Sequence, residues 1–273
     1  MTIDAVLPAA GRIKDDFAAE VGTELKALIQ IGSRTVLQRT IDTLRATGRV
    51  GRIVVVGPEE VGAHPAAQSA DAVLPEGGDS GPDNIISGLE WLREANGGRD
   101  PDRVLVVTTD LPFLTPECIC GYLDACPEGA DICAPLVDQQ TFQGRFPKSQ
   151  TMYVKLRDGR WTMGCAFLVD PRAVFANRDL IERCFQARKS QLGMAQLLGI
   201  GFILRFLAGQ LTVADIEERC RGILGCSACA VRESAPELAF DIDHVEDYRY
   251  AVEAARSDSP PCEGGAGGGP VFR

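Results

Sequence analysis

The sequence predicts an α/β fold with a doubly wound, mostly parallel sheet and a helical insertion, and three observations carry that reading. Residues 3–8, 52–56 and 103–108 are apolar, β-branched runs without polar alternation, the pattern of central strands buried on both faces. Helical apolar spacing fills each gap between them, and strand alternating with helix calls for parallel strands joined by crossovers. The runs end in Ala9-Ala10-Gly11, Gly57-Pro58 and Thr109-Asp110, at the strand ends where open α/β sheets bind ligands.

After the first strand, Ser33 is the predicted N-cap of a helix whose apolar face is Val36, Leu37, Ile41 and Leu44, with Gly48 ending it. A helix over 83–94 puts Ile86, Leu89 and Leu92 on one face. Thr115 caps a helix near 116–125, which leads to a strand at 131–135. Residues 151–156 and 161–169 read as two strands joined by the hairpin turn Arg157-Asp158-Gly159-Arg160. Residues 171–225 are mostly helical, with Gly193, Gly199, Gly201 and Gly209 as interruptions. They form an insertion (170–225) in a single expected domain, 1–256, and offer a surface for homodimerisation or acceptor choice. A late strand over 238–243 precedes a final helix over 245–255, and the Gly-, Pro- and Ser-rich residues 257–273 are expected to form a mobile tail.

Composition narrows the partners. The hydrophobic share of 45% and charged share of 24% suit a globular chain whose core needs no disulfide or structural metal. A net charge of -10 without a basic stripe argues against nucleic acid. No apolar run reaches membrane-span length; the longest, 197–207, is broken by Gly199, Gly201 and Arg205. There is no basic leader, and the ten cysteines read as reduced thiols in core positions, so the expected location is the cytoplasm. Cys226 and Cys229, with Cys220 upstream, lack the second pair that a zinc site needs.

The residues that carry chemistry lie at the strand ends. Small residues at Ala9, Ala10 and Gly11, followed by Arg12, let backbone N–H groups approach a phosphate, and Lys26 adds a point charge. Asp110 leaves a central strand at the same edge, where a carboxylate is a natural magnesium ligand, and Pro112 forces the chain out of the sheet just after it. Asp241 and Asp243 alternate on the late strand and so share a face; either completes a metal site with Asp110. Asp243 also fits a helix cap, with Glu246 three residues on. Lys148, Arg145 and Arg188-Lys189-Ser190 read as solvated helix or loop ends unless they face the cleft, where they would contact a phosphorylated group, and Trp91 and Trp161 are either core residues or base-stacking ones.

These motifs, in this order, resemble the MobA-like nucleotidyltransferases. Residues 5–12 with Lys26-Ala27-Leu28-Ile29 resemble the family's opening, Thr109-Asp110-Leu111-Pro112 its metal-binding segment, and 241–248 its closing motif. The resemblance implies a Rossmann-like fold of the nucleotide-diphospho-sugar transferase type. It also implies transfer of a nucleotidyl group from a nucleoside triphosphate to a phosphorylated small-molecule acceptor, with magnesium as cofactor and pyrophosphate as product. By the same resemblance, Ala9 to Arg12 and Lys26 hold the triphosphate and Asp110 binds the metal. Asn84, Ser87 and Gly88 contact base or sugar, and Gly164, within Thr162-Met163-Gly164-Cys165, lines the acceptor side. The chain departs from the family after Gly11, where a second glycine and an arginine are usual and either Arg12 or Lys14 substitutes or triphosphate binding is weakened or altered, and at Cys165, where relatives carry a polar amide. Two other readings remain at this stage: a glycosyltransferase using a nucleotide sugar, and a non-catalytic nucleotide-binding module.

Overall fold

Side-chain alternation along the first strand, β1 (Ile3–Pro8), assigns the two faces of the sheet: Ala5 and Leu7 enter one buried cluster and Val6 the other. The computed structural model describes residues 2–147, 149, 151–187 and 191–257. Within them the chain continues through α1 (Asp15–Val21), the short ribbon β2 (Gln30–Ile31) and β3 (Arg34–Thr35), α2 (Val36–Ala46), β4 (Val50–Val56), α3 (Glu59–Ala63) and β5 (Ala72–Leu74). Next come α4 (Gly81–Ala95), β6 (Val104–Val107), α5 (Pro116–Ala125), β7 (Ile132–Asp138), α6 (Gln139–Arg145), β8 (Val154–Leu156), β9 (Gly159–Met163) and β10 (Ala166–Val169). Helices α7 (Pro171–Ala176), α8 (Arg178–Ala187), α9 (Gln191–Leu198), α10 (Ile200–Leu207) and α11 (Val213–Leu224) precede β11 (Ala228–Val231) and α12 (Val245–Ser257).

The main sheet runs β5-β4-β1-β6-β10-β7-β9-β8, with β11 beside β7. Strands β5, β4, β1 and β6 are mutually parallel, while β10 is antiparallel to both β6 and β7. From β1 the chain builds outward to β4 and β5, then returns through α4 to β6 on the other side of β1. That reversal opens a crevice at the carboxyl ends of β1 and β6, the usual ligand position in such sheets. Helix α2 buries Leu37, Ile41 and Leu44 on one face of the sheet, each burial contributing about 2 kcal/mol. Helix α4 buries Ile86, Leu89 and Leu92 on the other.

Several elements differ from expectation. Thr35, not Ser33, caps α2, because its hydroxyl accepts the Gln38 N–H while the residues before it are drawn into the ribbon. The expected run 161–169 splits into β9 and β10 at Gly164-Cys165, where Gly164 still donates to Pro135 of β7 but Cys165 turns to the Leu238 carbonyl, outside the sheet. No strand forms over 238–243: this segment is anchored by single bonds, Cys165 N–H to the Leu238 carbonyl and Ile242 N–H to the Asp110 carbonyl, rather than a ladder. The ninth strand of the sheet is β11, paired in parallel with β7. Gly193 and Gly201 lie inside α9 and α10 rather than between helices, and Ser257 belongs to α12. Lys148, Arg188 to Ser190 and the rest of the expected tail, 258–273, lie outside the described residues. The nine cysteines that are described are free. No helix among the described residues is long and apolar enough to cross a membrane.

Candidate functional site

The turn after β1 is built to leave donors exposed. Ala9 donates its N–H to the Val56 carbonyl at 2.7 Å and is fully buried, which removes it from the expected phosphate-binding set: its amide is already used. The amides of Ala10, Gly11 and Arg12 have no acceptor among the described residues, leaving three consecutive N–H groups at the crevice, a concavity suited to an anion. Gly11 and Lys26, far apart in sequence, meet here. Lys26 donates its N–H to the Gly11 carbonyl at 2.9 Å, an isolated Arg12–Leu25 bridge closes the base of the excursion, and the lysine stem runs across the bare face of Gly11. The altered stretch after Gly11 therefore folds outward as α1, docked on α12 through Phe17, Tyr248 and the Glu20–Arg249 pair, without displacing Lys26.

Asp110 follows β6 by three residues. The Thr109 hydroxyl donates to the Pro8 carbonyl at 3.2 Å, tying the ends of β6 and β1 together and aiming Asp110 into the crevice between them. Asp241 and Asp243 arrive from the far end of the chain, held in place by packing on both sides of them. Phe240 stacks edge-on to Phe113 with ring centres 4.8 Å apart, and Ile242 is fully buried against Ile13 and Ile29. Asp110, Asp241 and Asp243 each offer a carboxylate oxygen within 4.8 Å of the others. The ammonium of Lys26 bonds Asp110 Oδ2 at 3.1 Å and also bonds Asp243. Asp243 is thus not the helix cap: Asp247 accepts the backbone N–H groups of Asp243 and His244 at the start of α12.

The electrostatics of this group are unbalanced. Burial opposes the charge of Lys26, but the carboxylates of Asp110 and Asp243 outweigh it and hold the lysine above its ordinary range. Burial pushes Asp241 up to about 7, reinforced by the charges of Asp110 and Asp243 and opposed by Lys26. Asp110 Oδ1 is buried without a hydrogen-bond partner among the described residues. An all-oxygen set with an orphaned buried oxygen and a carboxylate that resists ionising fits a hard divalent cation. The raised value has a consequence for stability. The folded protein keeps a proton on Asp241 at pH values where the unfolded chain has lost it, so this contribution is full below the ordinary carboxyl pKa and is lost as pH rises toward 7. The melting temperature of chelator-treated protein should therefore fall between pH 5 and 7 and then level off, and the Asp241→Asn variant should lack that slope.

Two of the glycines in the expected substrate set also have a packing role. A Cβ on Gly88 would lie 2.5 Å from Val6, so this position lets α4 pack on β1. A Cβ on Gly164 would lie 2.6 Å from the Leu238 carbonyl oxygen and 2.8 Å from Pro135, so it lets the Asp241 segment cross the sheet. Gly164→Ala should cost about 2 kcal/mol in urea denaturation, because backbone rather than a flexible side chain must move. Asn84 is buried, and its side-chain oxygen accepts the Gly77 N–H at 2.8 Å, while Ser87 packs beneath Gly77. Trp161 lies half-buried in a cluster with Leu156, Leu211 and Val213, and Trp91 packs against the α4 cluster. Sequence reading missed the loop 75–80, although Gly77-Gly78 after an apolar strand repeats the strand-then-glycine signal of the first turn.

Comparison with known proteins bears on the family and the fold. The profile of the MobA-like NTP transferase domain matches residues 9–205. The 2-C-methyl-D-erythritol 4-phosphate cytidylyltransferase of Klebsiella pneumoniae is 30% identical over 141 residues, 49% of this chain and 55% of that protein. The Citrobacter koseri protein of the same name is 32% identical over 99 residues, 35% and 41% of the two chains. The chain thus spans about half, or less, of the length of these curated relatives. A hypothetical transferase from Thermus thermophilus superposes with a TM-score of 0.78 at 31% identity, covering 90% of this chain and 99% of that one. The 2-C-methyl-D-erythritol 4-phosphate cytidylyltransferase of Thermus thermophilus shares the fold, with a TM-score of 0.53 at 21% identity over 94% and 100% of the two chains. With most of its length matched by the profile, the chain belongs to the MobA-like NTP transferase family.

Proposed function

We propose that the protein is a magnesium-dependent nucleotidyltransferase that moves a nucleoside monophosphate from a nucleoside triphosphate to a phosphorylated small molecule, releasing pyrophosphate. The observation that carries this reading is the gathering of Asp110, Asp241, Asp243 and Lys26 beside the free N–H groups of Ala10, Gly11 and Arg12. Family membership supports the reaction class, and the relatives' printed names support a phosphorylated polyol as the acceptor class. We read residues 1–256 as one catalytic domain acting in the cytoplasm.

The side chains have separable tasks. The N–H groups of Ala10 to Arg12 and the ammonium of Lys26 hold the triphosphate and neutralise charge that builds on the leaving pyrophosphate. Asp110, with Asp241 and Asp243, would hold magnesium, which when bound supplies charge neutralisation and orientation of the phosphate oxygens. An acceptor phosphate oxygen is already a nucleophile, so alignment with the α-phosphorus suffices: its bond to phosphorus forms as the bond to the bridging oxygen of pyrophosphate breaks. Cys165 lies beside this group, but burial, with Asp110 and Asp241, holds its thiol well above the ordinary range. It stays protonated and is no nucleophile, which supports direct transfer rather than a covalent nucleotidyl-enzyme.

The test is pyrophosphate release from each of the four ribonucleoside triphosphates with magnesium and a panel of phosphorylated sugars and polyols. Release with one pair supports the reading. Absence of release together with no thermal shift by any triphosphate sinks it, and hydrolysis of a nucleotide sugar in its place favours a glycosyltransferase.

A further inference from the structure

Helix α8, from the helical segment between β10 and β11, reaches across to the start of α4. The Ser80 hydroxyl, which caps α4 by accepting the Asp83 N–H at 3.1 Å, sits 2.6 Å from Glu182 Oε2 and 3.0 Å from Asp83 Oδ2. One hydroxyl proton cannot serve both carboxylates, and the shorter contact assigns it to Glu182. Both neighbours are tethered in turn: Gln186 donates to Glu182 Oε1 at 2.6 Å, and Arg178 pairs with Asp83 Oδ1 at 3.2 Å. The ring of Phe185 lies over Gly81, so close that a Cβ there would stand 3.2 Å from it.

What these contacts hold is the loop 75–80. Gly77 and Gly78 are pressed on the first turn of α4, with no room for a Cβ against Asp83 and Ser87. Asn84 fixes the Gly77 amide, and on the other side Glu76 lies 4.0 Å from the Arg12 guanidinium in the phosphate turn. The loop leaves β5 at the same sheet edge as the turn after β1, because β5, β4 and β1 are parallel. Resting on the nucleotidyltransferase reading above, we infer that Glu182 is a positioning residue. Through Ser80 it holds the loop 76–80 and Asn84 in the form that receives the nucleotide, and so it sets nucleotide affinity without entering the chemistry.

The test uses full-length protein with Glu182→Ala and Glu182→Gln. The glutamine keeps an acceptor for the Ser80 hydroxyl, so it should rescue what alanine loses. In ligand-free protein, amide hydrogen exchange at Gly77, whose N–H is held by Asn84, should speed about tenfold in Glu182→Ala and stay near wild type in Glu182→Gln. With the triphosphate that gives wild type its largest thermal shift, KM should rise about tenfold in the alanine variant while kcat changes less than twofold. Unchanged exchange overturns the clamp. Faster exchange with unchanged KM, or an equal fall of kcat, overturns the link to nucleotide. Should no triphosphate bind wild type, the nucleotidyltransferase reading fails and takes the nucleotide link with it, while exchange still decides whether Glu182 holds the loop.

Discussion

Replacing Asp110 by asparagine is expected to lower kcat/KM about a thousandfold while leaving the melting temperature unchanged or higher. The two halves of this expectation have one cause. Asp110 has a buried oxygen without a partner and lies close enough to Asp241 to help push it up to about 7, so in the metal-free protein its charge is a burden. Asparagine keeps an oxygen for the Lys26 ammonium and removes the repulsion. It cannot hold a divalent cation as a carboxylate does. Calorimetry of both proteins with chelator, beside a pyrophosphate-release assay, separates the roles. A melting temperature lowered by many degrees in parallel with activity would make Asp110 a structural residue. Gain of stability with loss of turnover is the usual mark of a site shaped for function.

Lys26→Met is expected to act in the opposite sense on stability. The Lys26 and Asp110 side chains are 14% and 15% exposed, so removing the cation leaves a buried carboxylate uncompensated, at a cost of about 3 kcal/mol. The Asp243 half of the contact, with that side chain 57% exposed, is screened and adds little. On the proposed mechanism turnover should fall about a hundredfold, since the charge that would neutralise the leaving phosphates is lost. Urea denaturation with chelator and then with excess magnesium checks the account: the cation should restore part of the stability by binding the folded form alone. A variant equally unstable under both conditions would show that the lysine, rather than missing positive charge, is what the fold requires.

Much of this was legible in the residues, for reasons that also explain where legibility stopped. The strands β1, β4 and β6 are buried on both faces, so their apolar runs have one reading. Asp110 stood out because a carboxylate directly after such a run has no packing purpose. The segment 238–243 misled because Leu238, Phe240 and Ile242 alternate with Asp241 and Asp243 as a strand would, yet its apolar side chains are used in three separate clusters: Leu238 in the main core, Phe240 among the aromatics, and Ile242 against Ile13, Ile29 and Ile31. β11 was missed because Ala228-Cys229-Ala230-Val231 carries little strand propensity, and its pairing with β7 supplies what propensity lacks. Gly88 and Gly164 also serve packing, against Val6 and against the Leu238 carbonyl; what approaches a glycine is not revealed by spacing. The role of Glu182 depends on a contact across about a hundred residues and had no local signal.

Because Asp241 sits about 130 residues downstream of Asp110, the acidic cluster is a late event in the life of each molecule. At translation rates of about 5–20 residues per second, a ribosome that has just made Asp110 needs roughly 7–26 s more to deliver its partners. During that interval β1, β4, β5 and β6 are already made, and the nascent chain carries Asp110 and the turn after β1 without Asp241 and Asp243 opposite them. The three carboxylates and Lys26 come together only once residue 243 has been made. A chain stopped just before Asp241 would contain the residues of every described strand but only Asp110 of the three carboxylates.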